Sequence, residues 1–284
     1  MQICGVQVDY SALIVAGIAA VAALASAAYA KNAQVEAAKL QARAEEEERR
    51  SQAKQVLDRY RGPLMDAAWQ LGNRIDNIRH RGFLGYLAEG SGREQDAKLT
   101  TLFRFAQYFG WREFVRGEVQ LLRFENEEDT RLVSGFLNDV AAFFSSDTLD
   151  DRKWAMLWVD EQRGIGELMA TDRRGVRGHA AFYHDYEEVF APWMERFAAD
   201  VLSPKAKESE RLRLLQWALF GLVRRLDEEG AYGPGGWTDR AEKEIRKAAS
   251  AKPPAGAKAR LWEHLRELDE LVTKGADEAP RRNG

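Results

Sequence analysis

The chain has 284 residues, of which 31% are charged, and its 42 Lys and Arg nearly balance its 45 Asp and Glu to give a net charge of −3. This balance excludes a general nucleic-acid binder, which would carry a basic stripe. The single cysteine is Cys4. The remaining sequence therefore contains no disulfide, no cysteine-ligated zinc and no cysteine nucleophile.

Residues 11–30 hold no charged side chain and no proline. At the rise of an α-helix this run is about 30 Å long, the thickness of the hydrocarbon core of a bilayer. We therefore predict a transmembrane helix at 11–30, preceded by a short tail at 1–10. Two alternatives are a signal peptide, because Ala28-Tyr29-Ala30 fits the small-x-small cleavage pattern, and a buried helix of a soluble protein.

The basic residues follow this segment rather than precede it. The first ten residues contain no Lys or Arg, whereas Lys31, Lys39 and Arg43 come soon after the segment. A cleaved signal peptide normally begins with a basic region, so this distribution favours an anchor. The positive-inside rule then predicts a cell-membrane protein with its N-terminus outside and its main domain in the cytoplasm.

Residues 31–60 predict a helical stalk, because they are rich in Ala, Gln, Glu, Lys and Arg and lack Gly and Pro. Their apolar positions are weak for a long coiled coil, since they are mostly alanines. The stalk is thus either a solvated helix or part of a parallel oligomer. Small residues four apart within 11–30 would also allow helices to associate in lipid. The predicted partners are the bilayer, a second copy of the chain and an unidentified protein.

Gly62-Pro63 predicts a helix start and the boundary of an all-α domain at 61–230, because proline is favoured in a first helical turn. Apolar residues recur there at helical spacing, and no segment alternates as a strand would. The predicted helices cover 64–78, 99–109, 114–122, 132–144, 154–169, 182–202 and 212–226, with a bend at Gly110-Trp111. Residues 231–274 predict a linker and loosely attached C-terminal helices, and 275–284 a disordered tail.

The sequence contains neither a phosphate-binding P-loop nor a Gly-x-Ser-x-Gly nucleophile motif. His184 and Glu188 have the i, i+4 spacing of helical metal ligands, but a lone pair of this kind is more typical of a solvated helix face. We therefore expect no metal site, no cofactor and no catalytic residue, and the sequence does not predict an enzyme.

Five residues form the candidate ligand-binding set. The structural alternative is buried polar pairing for Arg163 and an aromatic core with amphipathic rims for Trp111 and Arg112. They are Glu161, Arg163, Glu167, Trp111 and Arg112. The first three lie in an otherwise apolar helix, in which Gly164 and Gly166 predict close approach of a neighbouring helix. The last two lie among aromatic residues on which an arginine could stack. A helical ligand sensor or hydrolase would use these residues to line its site.

Three strings of the sequence have a family resemblance. They are Tyr60-Arg-Gly-Pro-Leu64 with Ala67-Ala68, Leu71, Arg74 and Asn77-Ile78; Phe105-Ala-Gln-Tyr-Phe-Gly-Trp-Arg-Glu113 with Val119-Gln120; and Glu161-Gln-Arg-Gly-Ile-Gly-Glu-Leu-Met169. In this order, over roughly residues 56–230, the chain resembles a widespread group of uncharacterised bacterial helical proteins, some with an N-terminal membrane segment. The resemblance implies one long helical domain and brings no activity, partner or catalytic residue with it.

These features predict an all-α fold with one N-terminal transmembrane helix, a helical stalk and one multi-helix domain. The function that they favour is that of a membrane-anchored interaction or scaffold protein without recognisable catalytic activity. The alternatives are the ligand sensor or hydrolase described above, and an exported helical protein whose first 30 residues are removed.

Overall fold

A computed structural model describes residues 10–122, 128–171, 175–227, 230, 232, 236–249 and 258–267. Helices dominate these residues, which confirms the predicted all-α fold class. The chain forms two compact units, Met1–Gln52 and Ala53–Gly284. The disordered tail predicted at 275–284 and the linker predicted around residues 252–256 lie outside the described residues.

The α-helices follow one another along the chain as α1 (Tyr10–His80), α2 (Glu94–Leu122), α3 (Glu128–Ser145), α4 (Val159–Met169), α5 (His179–Asp185), α6 (Ala191–Val201), α7 (Glu210–Leu226) and α8 (Trp237–Ala249). Residues 258–267 form a further helix, α9. A π-helical segment, Tyr186–Phe190, joins α5 to α6, and short 3-10 helices cover Phe83–Leu87 and Pro204–Glu208.

A small hairpin follows α4, where the sequence predicted only helices and linkers. Strands β1 (Ala170–Thr171) and β2 (Gly175–Val176) pair antiparallel, with Ala170 opposite Val176. Strands of two residues are too short to show the alternation by which a strand is recognised in a sequence.

The first unit contains the N-terminal part of α1. Its described side chains between residues 31 and 48 are exposed, apart from Glu46. Among the described residues, no helix combines the length and the apolar character needed to cross a bilayer. Residues 11–30 are helical, but their side chains lie outside the described residues. The transmembrane segment and its orientation therefore stay predictions.

The core of the second unit is built from two packed helix pairs, α2 with α4 and α3 with α7. Glycines allow both pairs to approach closely. A Cβ at Gly166 would lie 2.7 Å from the carbonyl oxygen of Phe109, and one at Gly221 would overlap the ring of Phe136. The predicted role of Gly166 in packing is confirmed. Helix α7 lies at the centre of the unit, because 14 of its 17 residues are buried.

Helix α1 continues through Pro63 to His80, so the helix start predicted at Gly62-Pro63 is wrong. A proline inside a helix removes one backbone hydrogen bond and costs about 3 kcal/mol. Tyr60 and Leu64, on either side of Pro63, are 3% and 0% exposed and belong to the same core. Burial of these residues on one continuous helix offsets the local cost.

Helix α2 is also continuous, so the bend predicted at Gly110-Trp111 is wrong. Gly110 instead provides space for its neighbours, because an added Cβ would lie 2.9 Å from the Cβ of Met169 and 3.0 Å from Val176. The glycine therefore allows the end of α4 and the hairpin to approach α2.

The C-terminal helices are integral parts of the second unit, and the prediction that they are loosely attached is wrong. Trp237, the first residue of α8, is fully buried against Gly72 of α1, and Leu261 of α9 is 1% exposed. In α9, Nδ1 of His264 lies 2.7 Å from a carboxylate oxygen of Asp139 in α3. Gly72 and Asp139, which receive these helices, lie far earlier in the chain, so local periodicity did not reveal the contacts.

Candidate functional site

The three predicted site residues of α4 have separate environments. The carboxylate of Glu161 accepts a hydrogen bond of 2.7 Å from the backbone N–H of Trp158 and so caps the start of the helix. Nη1 of Arg163 lies 3.7 Å from a carboxylate oxygen of Asp160, and the Asp160 side chain is almost fully exposed. Glu167 is exposed. None of the three therefore forms a buried acid–base pair with another of the three.

The two predicted site residues of α2 are adjacent in sequence but differ in environment. Trp111 is half-buried, with its ring centroid 6.3 Å from that of Tyr60. Arg112 is 8% exposed, and its Nη1 donates a hydrogen bond of 3.2 Å to Oε1 of Gln162 in α4. Burial lowers the pKa of the Arg112 guanidinium, and the nearby charge of Arg163 lowers it further. The charges of Arg112 and Arg163 therefore act on each other.

Gln162 holds α4 in place through the contacts of its buried amide. While Oε1 accepts from Arg112, Nε2 donates to the carbonyl oxygens of Ala141 at 3.1 Å and Leu157 at 2.9 Å. This side chain therefore links α2, the end of α3 and the segment before α4. Gln162 is not recognisable as a linking residue from the sequence, because a glutamine inside a helix carries no distinctive signal.

The five predicted residues do not line a cavity that lies between α7 and α8. That cavity, of about 290 Å³, lies where the end of α7 faces the start of α8. Its lining includes Phe220, Arg224, Tyr232 and Glu242.

The histidine-rich segment of α5 has structural contacts. The ring of His179 packs edge-on to Phe103 with centroids 5.1 Å apart, and Asp185 forms an ion pair with Arg177. Within the described ranges, no three His, Cys, Asp or Glu side chains are grouped so that they could hold a metal ion.

Exposed apolar side chains on α4 and α6 are a feature that the sequence analysis missed. Trp158 is 62% exposed, Val159 36% and Trp193 42%. The Trp193 ring lies against α4, since a Cβ at Gly164 would be 2.8 Å from it. Gly164 is six residues from Trp158, or about 9 Å along a helix. We call Trp158, Val159 and Trp193 the aromatic face.

The sequence could not distinguish the aromatic face from core. Trp158 has the spacing of an inward-facing residue if the helix is assumed to begin at Trp154, as predicted. The helix instead begins at Val159, and this places Trp158 at its exposed N-terminus. Comparison of the chain with protein-family models, with curated proteins and with solved structures gives no significant match.

Proposed function

We propose that this protein is a membrane-anchored helical interaction protein that binds a partner protein through the aromatic face on α4 and α6. The observation that carries the proposal is the exposure of two tryptophans, Trp158 at the start of α4 and Trp193, whose ring lies against Gly164 of α4. Tryptophan is enriched among the residues that dominate binding energy at protein interfaces. Exposed apolar patches on folded proteins commonly mark such interfaces.

The two exposed tryptophans supply part of the energy that recognition of a partner requires. A tryptophan side chain can bury 150–250 Å², so covering the exposed parts of both rings would remove on the order of 200 Å² from water. At about 25 cal/mol per Å² this corresponds to a gross stabilisation of about 5 kcal/mol. The costs of association reduce this figure, so additional contacts around the two rings are needed for stable binding.

The position of Trp158 is fixed before any partner binds. The backbone N–H of Trp158 is held by the carboxylate of Glu161, and the preceding carbonyl of Leu157 accepts from the buried amide of Gln162. Because these bonds hold the backbone, less backbone freedom is lost when the side chain binds a partner. Glu161 therefore acts as a positioning residue for the interaction face rather than as a catalytic acid.

The anchor is the predicted transmembrane helix at 11–30, which is supported by the uncharged run and the basic residues after it. Cys4, the only thiol, tests this part of the proposal. Treatment of intact cells with a membrane-impermeant maleimide should label the full-length protein at Cys4, with the main domain in the cytoplasm. Labelling only after lysis would reverse the orientation. A product that lacks residues 1–30, and with them the thiol, would show signal-peptide cleavage and overturn the anchor.

The interaction face is tested by a photo-crosslinking amino acid placed singly at Trp158 or Trp193 in the full-length protein in its native membrane. Tyr86 is the matched control, because it is an exposed aromatic residue, 58% exposed, on a different element. We expect one discrete crosslinked species from the first two positions and none from Tyr86. Equal crosslinking from all three positions, or none from Trp158 and Trp193, would overturn the proposal.

A further inference from the structure

Helix α9 packs on residues that lie far from it in the chain. Leu261 is 1% exposed and belongs to the core of the second unit. The ring of Trp262 packs against that of Trp217 in α7, with centroids 5.6 Å apart, and a Cβ at Gly135 of α3 would lie 2.8 Å from the ring of His264. Helices α3 and α7 therefore form a groove that holds one side of α9. We call this surface the α9 groove, and it includes Arg131, Gly135, Asp139, Glu210 and Trp217.

Two carboxylates of the α9 groove meet basic side chains of α9. Nζ of Lys258 lies 2.6 Å from a carboxylate oxygen of Glu210, and Nδ1 of His264 lies 2.7 Å from one of Asp139. Both carboxylates are buried, since Asp139 is 3% exposed and Glu210 8%. The hydrogen bond to Asp139 raises the pKa of His264, which favours the charged form of the ring. Each of these groove carboxylates is thus matched by a basic group of α9.

A third ion pair has the opposite direction of charge. Nη2 of Arg131 in α3 donates to a carboxylate oxygen of Glu267 in α9 at 2.9 Å. A helix that fits the α9 groove therefore needs two basic residues followed by an acid, at the spacing of Lys258, His264 and Glu267, in addition to its apolar side. The helix that meets these requirements is α9 itself, and every copy of the chain carries one.

The connection of α9 to the rest of the chain is long enough to reach a neighbouring molecule. Helix α9 covers residues 258–267. It is shorter than the roughly 12–15 residues that an isolated helix needs in water, so it depends on the groove for its stability. Residues 250–257, which connect α8 to α9, lie outside the described residues. A chain of that length spans up to about 30 Å when extended, and its sequence contains Pro253-Pro254, where each proline favours an extended backbone in the residue before it.

We propose that two copies of this protein exchange α9, so that the helix of each copy fills the α9 groove of the other. Exchange preserves every contact in the groove, because the same residues meet in both arrangements. Domain swapping of this kind is a low-cost route to a dimer. The predicted membrane anchor would confine the copies to one plane and so raise the effective concentration of each α9 near the groove of its neighbour. Exchange of α9 does not involve the aromatic face.

The test is site-specific crosslinking of the full-length protein in its native membrane, with the natural thiol removed by Cys4→Ser. One tagged copy carries Arg131→Cys, a second copy with a different tag carries Glu267→Cys, and the two are expressed together. Loss of this ion pair should leave α9 docked, because the Arg131 side chain is 50% exposed and exposed pairs contribute little. A short bismaleimide then joins the two copies where α9 of one lies in the groove of the other.

The matched control uses an ion pair between two helices that are not exchanged. Lys98 of α2 pairs with Glu195 of α6, and both side chains are partly exposed. Lys98→Cys and Glu195→Cys are therefore placed on separate copies in the same way. We expect a crosslinked heterodimer from Arg131→Cys with Glu267→Cys, and none from the control pair. Leu261→Asp, added to the Glu267→Cys copy, should reduce the heterodimer at least tenfold, because it places a charge against the core.

A copy that carries both Arg131→Cys and Glu267→Cys shows whether α9 is docked, since mass spectrometry identifies the crosslinked peptides. Crosslinking in this copy, without a heterodimer from the separate copies, would mean that α9 stays in the groove of its own chain and would overturn the proposal. A heterodimer from the control pair as well, or one that Leu261→Asp leaves unchanged, would indicate simple proximity and would also overturn it. No crosslink even in the copy with both cysteines would overturn the docking of α9. These outcomes are independent of crosslinking at Trp158 and Trp193.

Discussion

Replacement of Arg211 by methionine should destabilise the second unit by about 4 kcal/mol, a figure that rests on the hydrogen bonds of a buried charge. Arg211, in α7, is fully buried, and its guanidinium donates only to backbone carbonyl oxygens. The acceptors are Trp154 at 2.9 Å, Phe144 at 3.0 Å, Ser146 at 2.8 Å, and Phe143 and Arg152. Some of these carbonyls end α3, where a helix leaves its last acceptors without partners. The others hold the segment between α3 and α4.

The magnitude follows from these five hydrogen bonds. A hydrogen bond to a charged group contributes about 1.5 kcal/mol net, so five contribute roughly 7 kcal/mol. Removal of a buried charge recovers several kcal/mol of desolvation cost, and this leaves a loss of about 4 kcal/mol. For a unit of this size, 1 kcal/mol corresponds to roughly 2–4 °C in Tm, so the expected decrease is about 8–16 °C.

The assay is thermal unfolding of the full-length protein in detergent micelles, followed by circular dichroism. Arg213→Met is the matched control, because Arg213 lies on the same helix with a side chain that is 42% exposed and pairs with Glu210 at 3.6 Å. Glu210 is buried but keeps the backbone N–H of Asp150 and Lys258 as partners when Arg213 is removed, so the control should shift Tm by no more than a few degrees. Equal shifts in the two variants would refute the argument from buried carbonyl oxygens.

Two further predictions concern helix packing and pH. Gly221→Ala should lower the free energy of unfolding by about 1–3 kcal/mol, because the added Cβ overlaps the Phe136 ring. Gly117→Ala, in open space on α2, is the control and should be neutral or stabilising in the same thermal assay. Similar losses in both variants would contradict the packing argument. For His264, the hydrogen bond to Asp139 raises the pKa above 6.5. Its stabilising contribution should be complete below the unfolded-state pKa of about 6.5 and decrease as pH rises through the folded-state pKa. The difference in Tm between the wild type and His264→Asn, measured from about pH 5.5 upward, should shrink accordingly, and a constant difference would refute the role of the charge.

The exposure of Trp158 was not predictable from the sequence. Trp158 lies outside the core because α4 begins at Val159. The segment before it contains Arg152 and Ala155, which have positive φ values of 48° and 47°. A pattern of apolar residues does not reveal such a left-handed backbone.

The sequence alone determined the all-α fold class and the positions of α3 and α7, because burial of one helix face leaves a repeat of about 3.6 residues that needs no knowledge of the partner. It also predicted correctly that Gly164 and Gly166 are packing positions. The continuity of α1 through Pro63, the continuous course of α2 past Gly110 and the burial of Trp237 were decided only by tertiary structure. In each of these cases the local preference of a residue is outweighed by contacts with segments distant in the chain, which a local pattern cannot encode.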